Sequence, residues 1–520
     1  MIDILKFVYE HYEYYFVLIT CMLASLIAFI IFKKKVVTVY EKCFCYSLSI
    51  ISNFVISIIF IHKFWVYREN MRIDILAFII ENILSFFIAL VLSVLIIHMK
   101  YFYSCFTKKY NVSKWINDNK WGLGICSFLS ITMILELPAE INGWGAVWYA
   151  TDYSMGIGAR FFIGTLLSLL NVGYIETSNA YLFCVVSVVL VIILFSIVLN
   201  ELIKKTEEKY RNVILFVLGI FIASPGSIAG IWQPGAFGRL ETYGLMISLF
   251  AIIIFEKHKN IYLKYIFVTV LSCVSMAIYQ GDIFLYYPII LMLFVYDSIC
   301  SGEHLKTKRI LGFVNVFFTG MTFIYFQFFS YTNFNSSSEM ANVISLKTDL
   351  PISQMTLEFG CFQSVIVAFQ SINRHFLLGS EFPREKTFFT LCLMMPVVVL
   401  VLAIYLKCDE YRKERNIGIL KVPYMYYIIL PVAVLPQYLL NVDWGRWMRA
   451  TVIVFFAGIL YLTYKRDEGI LRAMEKLNKF ISEHKFLCLL CIIFMASLDK
   501  FTERPFIDEV DTITGYFLPY

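Results

Sequence analysis

The stretch TDYSMGIGARFFIGTLLSLL, residues 151–170, sets Asp152 eight residues before Arg160, between two strongly apolar segments. A carboxylate held at the edge of apolar surroundings can take a proton as a general base. A guanidinium in the same place can grip phosphate or carboxylate in a two-pronged way that an ammonium cannot match. Similar residue sets recur along the chain. Glu136 and Glu140 stand in ELPAEINGWGAVWYA, Arg239 and Glu241 in SPGSIAGIWQPGAFGRLETY, and Asp282 closes YQGD. The stretch NVDWGRWMR places Asp443, Trp444, Arg446 and Arg449 within nine residues. A longer connection, about residues 330–386, adds Arg374, His375 and Arg384.

The elements that must position these groups are membrane helices. Of the 520 residues, 60% are apolar and 16% charged, against roughly 45–50% and 25% in a soluble domain. An excess of that size over this length predicts an all-α, polytopic integral membrane protein. Spans of ~17–25 apolar residues give about fourteen transmembrane helices. The first residues lack a basic region and a small-residue cleavage site, so no cleavable signal peptide is expected. The apolar run Phe16–Phe32 reads instead as a signal anchor. The thirteen cysteines are scattered and form no C-x-x-C pair, which predicts neither a disulfide framework nor a zinc site.

Alternating the connections between two sides puts the lysine-rich ones together: Lys33–Lys35, Lys100–Lys120, Glu201–Asn212 and Lys465–Lys485. That side is expected to be cytoplasmic, with both termini outside. Arginines outnumber lysines on the opposite side, where insertion rules favour neither, so the outer face is where an anion would be held. Interfacial anchoring of helix ends competes with this reading for any single arginine. The polar sets named above also fall on the outer side, and charges at that depth are costly unless paired or functional. The run FFIGTLLSLLNVGYI is too short to cross and too apolar for a free loop. An interfacial helix is therefore expected near residues 161–175, backing Asp152 at the boundary.

A span, an acidic outer loop and then an interfacial helix resemble the start of a GT-C glycosyltransferase. The stretches DYSMGIGARFFIGTLL, FGRLET, YQGD and DWGRW also resemble a group of bacterial envelope proteins that stand near polysaccharide polymerases. The resemblance covers roughly residues 120–465. It implies a GT-C-like architecture: an N-terminal three-helix membrane segment (1–120), a core with the acidic outer loop (121–330), a long outer loop (331–386) and C-terminal membrane helices (387–520). It also implies transfer of a sugar or oligosaccharide from a polyprenyl-(di)phosphate carrier to a glycan or lipid acceptor, on the outer side of the bacterial cytoplasmic membrane. Asp152 would be the catalytic base, with Glu136 or Glu140 as competitors, and Glu241 the second acid. Arg160, Arg239, Arg446 and Arg449 would grip the carrier phosphate.

Glu241 or Asp282 would orient the acceptor or help hold a divalent cation, the one cofactor this reading admits. Trp144, Trp148, Trp232 and Trp444 are candidate sugar platforms, though boundary tryptophans are as often anchors. A transporter or flippase for lipid-linked saccharides is the competing class. It would show polar residues deep in several spans and often internal repeats, whereas here Glu81 and Asn82 are the main mid-span polar residues. A third class is a non-catalytic scaffold for envelope assembly. Motifs of soluble enzymes are absent, including the P-loop, G-x-G-x-x-G, H-E-x-x-H and G-x-S-x-G, and nothing points to nucleic acid.

Overall fold

The structure, a computed structural model, describes residues 112–170, 174–300, 304–362, 390–440 and 443–501. Helices hold 80% of them. Residues 1–111 of the expected three-helix membrane segment, with the pair Glu81 and Asn82, both termini, and Arg374, His375 and Arg384 lie outside the described residues. The chain divides into two compact units, Met1–Asn119 and Lys120–Tyr520. The site and the packing described below belong to the second.

In chain order the helices are α1 (Val112–Glu136), α2 (Gly143–Ala150), α3 (Phe161–Leu170), α4 (Thr177–Lys205), α5 (Arg211–Ala223), α6 (Glu241–Lys257), α7 (Ile261–Ile278), α8 (Asp282–Leu285) and α9 (Tyr287–Cys300). They continue as α10 (Leu305–Phe328), α11 (Ser337–Ser345), α12 (Gln354–Leu357), α13 (Met395–Glu414), α14 (Pro423–Ile429), α15 (Leu435–Leu440), α16 (Trp444–Tyr464), α17 (Glu468–Glu483) and α18 (Lys485–Ala496). One two-stranded antiparallel pair joins β1 (Gly156–Ile157) to β2 (Tyr331–Thr332).

Five stretches among the described residues are long and apolar enough to cross a bilayer: Thr177–Lys205, Glu208–Trp232, Ile261–Ile278, Leu305–Phe328 and Trp444–Tyr464. About fourteen were expected over the whole chain, part of which lies outside the described residues, and several apolar runs inside them are divided or short. The apolar run around residue 431 is broken into α14, a 3-10 turn at Leu430–Val434, and α15. Pro431 and Pro436 supply no backbone N–H and clash with the preceding turn, which ends a helix. The run near residue 290 is divided at Tyr286 into α8 and α9, and α18 has only 12 residues. The lysine-rich connection Lys465–Lys485 holds the amphipathic α17, which buries Ile470, Ala473, Met474 and Ile481.

Where the spans sit in the bundle decides what they face. α16 is mostly buried, but α10 leaves Phe313 (69% exposed), Phe317, Phe318 and Met321 uncovered along its length. An apolar strip of that kind would be a liability in water, and lipid is the solvent that suits it. The chain is a helical, membrane-embedded protein.

α6 and α16 run in one direction and are linked at both ends by ion pairs. Glu241 opens α6 and pairs with Arg446 in the first turn of α16 at 2.6 Å. Glu256, near the end of α6, pairs with Lys465, just after α16, at 2.7 Å. α4 ends beside them, where the Lys205 ammonium donates to the Tyr464 hydroxyl at 2.5 Å. The three helices thus share an arginine-rich end and a lysine-rich end.

The segment 331–362 is not an open loop. It carries β2, α11, α12 and a single π turn, Glu358–Phe362, and it is laced to residues 152–177. Asn333 N donates to the Met155 carbonyl and Ile175 N to the Lys347 carbonyl. The Asp349 carboxylate accepts from Thr177 N at 2.6 Å, satisfying one of the backbone donors left open where α4 begins.

Candidate functional site

The arginine-rich end brings together side chains from four distant parts of the chain. Glu241 is 2% exposed. Its two oxygens accept Nε and Nη2 of Arg446 at 2.7 and 2.6 Å, a fork-to-fork contact, and Oε1 also takes Arg449 Nη2 at 3.3 Å. Arg446 Nη1 donates to Asp443 Oδ2 at 2.5 Å. Arg449, 1% exposed, donates Nη1 to the carbonyls of Gly230 and Phe501. A buried carboxylate survives in low dielectric only when matched in this way.

Tyr279 and Asp282 close the next layer. Tyr279 follows α7, is buried, and lies within electrostatic reach of Arg446, Arg160, Glu241 and Asp443. Asp282 opens α8 and is fully buried. Its Oδ2 accepts the Ser275 hydroxyl at 2.9 Å, while Oδ1 has no hydrogen-bond partner. Burial pushes this carboxyl well above its ordinary value, with the nearby Glu241 charge adding to the shift. The carboxyl fits because residue 244 is glycine: a Cβ there would overlap both Asp282 oxygens.

Arg239 and Arg160 complete the cluster. Arg239, 8% exposed, sits 6.0 Å from the Trp144 ring and donates Nε to the Gly235 carbonyl. Burial first, and Arg446 second, push its guanidinium down to about 10. Arg160 lies between two aromatic faces, 4.8 Å from the Trp148 ring centre and 5.5 Å from that of Tyr279. It is half-buried and its Nε has no hydrogen-bond partner. Among the described residues no carboxylate pairs with it. The π turn packs over it: Phe359 sits 6.1 Å from Trp144, and a Cβ at Gly360 would overlap the Trp148 ring and meet Arg160 Nη1 at 2.8 Å. Four guanidiniums therefore face three carboxyl groups, Glu241, Asp443 and the enclosed Asp282. The surplus is positive, and half-buried Arg160 carries it.

The expected site residues divide. Arg160, Arg239, Glu241, Asp282, Asp443, Arg446 and Arg449 converge around Tyr279. Asp152 does something else: its Oδ1 accepts Ser154 N at 2.8 Å and the Ser154 hydroxyl, capping the turn Tyr153–Met155. Its Oδ2 takes Lys347 Nζ at 3.4 Å. Its partners are a cap and a lysine, not the guanidiniums. Glu140 is exposed, and Glu136 accepts from Trp232 Nε1 and Gln233 Nε2. Trp232 is fully buried, which leaves no ring face for a sugar. Trp444 donates to the Tyr438 carbonyl and sits edge-on to that ring. Residues 161–170 form the expected short helix, α3, with Leu169 and Leu170 uncovered. Lys347, Phe359 and Gly360 were not anticipated, because nothing local in their sequence marks them. Among the described residues no three His, Cys, Asp or Glu side chains gather as metal ligands would.

Comparison of the chain with protein-family models, with curated proteins and with solved structures gives no match.

Proposed function

We propose that this protein is a membrane glycosyltransferase that takes a sugar or oligosaccharide from a polyprenyl-(di)phosphate carrier at the outer face of a bacterial cytoplasmic membrane. One observation carries the reading: Arg160 lies between Trp148 and Tyr279, beside a cluster with surplus positive charge, and among the described residues no carboxylate pairs with it. Such a group is preorganised for an anion. Arg160 and Arg239 would take the carrier phosphate and stabilise the charge that grows on it as the bond to the anomeric carbon breaks. Glu241, Arg446 and Arg449 would form the frame that fixes their surroundings. The acceptor hydroxyl loses its proton to Asp152 Oδ2, whose partner, Lys347, is itself 34% exposed. On this reading the architecture is GT-C-like, with about fourteen spans and both termini outside.

A second reading, a transporter or flippase for the same lipid-linked saccharides, is favoured by one fact. Every carboxylate inside the cluster is either ion-paired or enclosed, which leaves none free as a base. The two readings separate on paired variants. Arg160→Lys keeps the charge but loses the fork, and should weaken binding of polyprenyl phosphate to the purified protein about tenfold or more, the ~1.5–3 kcal/mol of one charge-assisted bond. Unchanged binding in that variant rejects the phosphate site under either reading. Asp152→Asn should abolish transfer while leaving binding intact. Full transfer in Asp152→Asn removes the base, and undiminished movement of lipid-linked saccharide across a vesicle membrane would then favour transport.

A further inference from the structure

A cavity in the second unit lies away from the arginines. It lies between α4, α6 and α16 and encloses about 150 Å³. Its walls are aliphatic and aromatic, among them Phe195, Leu199, Leu249, Ile253, Ile453 and Ala457. A cavity of this size with such walls stays dry and accepts an apolar guest. The lining runs along α6 from Leu245 to Lys257, about 18 Å at 1.5 Å per residue. Polar side chains are confined to one end, where Glu201, Lys205, Glu256, Lys257, Tyr461 and Tyr464 form the mouth.

The charges at that mouth are not balanced. Glu256 is already satisfied, accepting from the Tyr461 hydroxyl at 2.8 Å and from Lys465 at 2.7 Å. Lys205 is held by a neutral group, the Tyr464 hydroxyl, and stacks 4.2 Å from that ring. Neither Lys205 nor Lys257 pairs with a carboxylate among the described residues, and Glu201 alone opposes the two. The slot therefore combines a long apolar wall with a cationic rim.

We propose that this slot is a binding site for an anionic membrane phospholipid, with one acyl chain between α4, α6 and α16 and the phosphate at Lys205 and Lys257. The site is distinct from the arginine cluster. α6 and α16 each begin at that cluster and end at this mouth, so the two lie at opposite ends of the same helices. A carrier phosphate at Arg160 cannot also be at Lys257. The lipid here would act as a structural ligand that fills a void the side chains leave, and it stabilises the bundle by mass action.

The test uses the full-length protein, delipidated in mild detergent and titrated with phosphatidylglycerol or phosphatidylcholine, with thermal unfolding and native mass spectrometry as readouts. Phosphatidylglycerol should raise the melting temperature and remain bound, and phosphatidylcholine should do so weakly. Lys205→Gln combined with Lys257→Gln should lower the apparent affinity for phosphatidylglycerol about thirtyfold, close to 1 kcal/mol per lysine. Ala457→Phe, which fills the slot, should abolish the effect of both lipids. If a variant fails to insert, the wild-type protein still decides: binding should weaken as salt is raised, because an exposed ionic rim is screened. Equal effects of the two lipids, salt-independent binding, or an unaltered response in Ala457→Phe would each overturn the proposal. Tighter capture of polyprenyl phosphate than of phosphatidylglycerol at this mouth would overturn it too. None of these results bears on Arg160, whose own variant is read separately.

Discussion

Glu241→Gln is the substitution with the clearest consequence for the fold. The glutamine keeps the shape and one acceptor oxygen but removes the charge that holds Arg446 and Arg449, two guanidiniums 6% and 1% exposed. Asp443 remains for Arg446, but its side chain is 23% exposed and bonds only through Nη1. Arg449 keeps two backbone carbonyls and loses the one carboxylate that meets it among the described residues. Removing one partner of a buried ion pair typically costs about 3–5 kcal/mol, because the other charge stays desolvated. For a cooperative unit of roughly 400 residues, an unfolding entropy near 2.1 cal/mol/K per residue gives about 0.8 kcal/mol/K. The expected drop in melting temperature is thus about 4–6 °C, measurable by intrinsic fluorescence on protein purified in detergent. Adding Arg446→Met to Glu241→Gln should recover at least half of the loss, since an apolar replacement of the whole pair is often neutral. A Glu241→Gln protein that melts within 1 °C of wild type would refute the claim that this carboxylate is the charge at the centre of the cluster.

Two further outcomes concern Asp282. Its carboxyl binds a proton more tightly in the folded chain, so it contributes stability that is greatest at acid pH and declines as pH rises above the ordinary aspartate range. Asp282→Asn should therefore leave stability at neutral pH unchanged or improved, and the wild-type-minus-variant difference in unfolding temperature should fall between pH 4 and pH 8. A flat difference would show an ionised Asp282. Gly244→Ala should lower stability by about 2 kcal/mol or more, because the added methyl overlaps the Asp282 carboxyl and the core cannot yield to it cheaply. Thermal unfolding of that variant within 1 °C of wild type would show that the two helices are not so close.

How much of this was legible in the sequence depends on the residue. Charges at the ends of apolar runs stand out because burying them is costly, which is why Arg239, Glu241, Arg446 and Arg449 could be singled out one by one. Their pairing could not, since Glu241 and Arg446 are 205 residues apart and no local pattern encodes which acid meets which arginine. The local partners of Asp152 went unread for the opposite reason. An aspartate two residues before a serine is a side-chain-capped turn, a short-range signal overridden by its position in an apolar neighbourhood. Lys347 and the π turn over Arg160 left no trace at all, because a segment that looks polar and irregular acquires its role only through tertiary contact. The apolar run near residue 431 was read without its punctuation: Pro431 and Pro436 divide it into short helices. The slot between α4, α6 and α16 is a mismatch of side-chain shapes, and hydropathy carries no information about shape.

The lacing of residues 331–362 onto 152–177 bears on access to Arg160. The β1–β2 pair fixes one edge of that segment, the Thr177–Asp349 bond another, and Phe359 and Gly360 rest on Trp144, Trp148 and Arg160. A covering sewn down along its margins behaves as a roof and not as a trapdoor, because lifting it breaks several hydrogen bonds together. Any change that exposes the guanidinium from this side must therefore break the β1–β2 pair and the Thr177–Asp349 bond together.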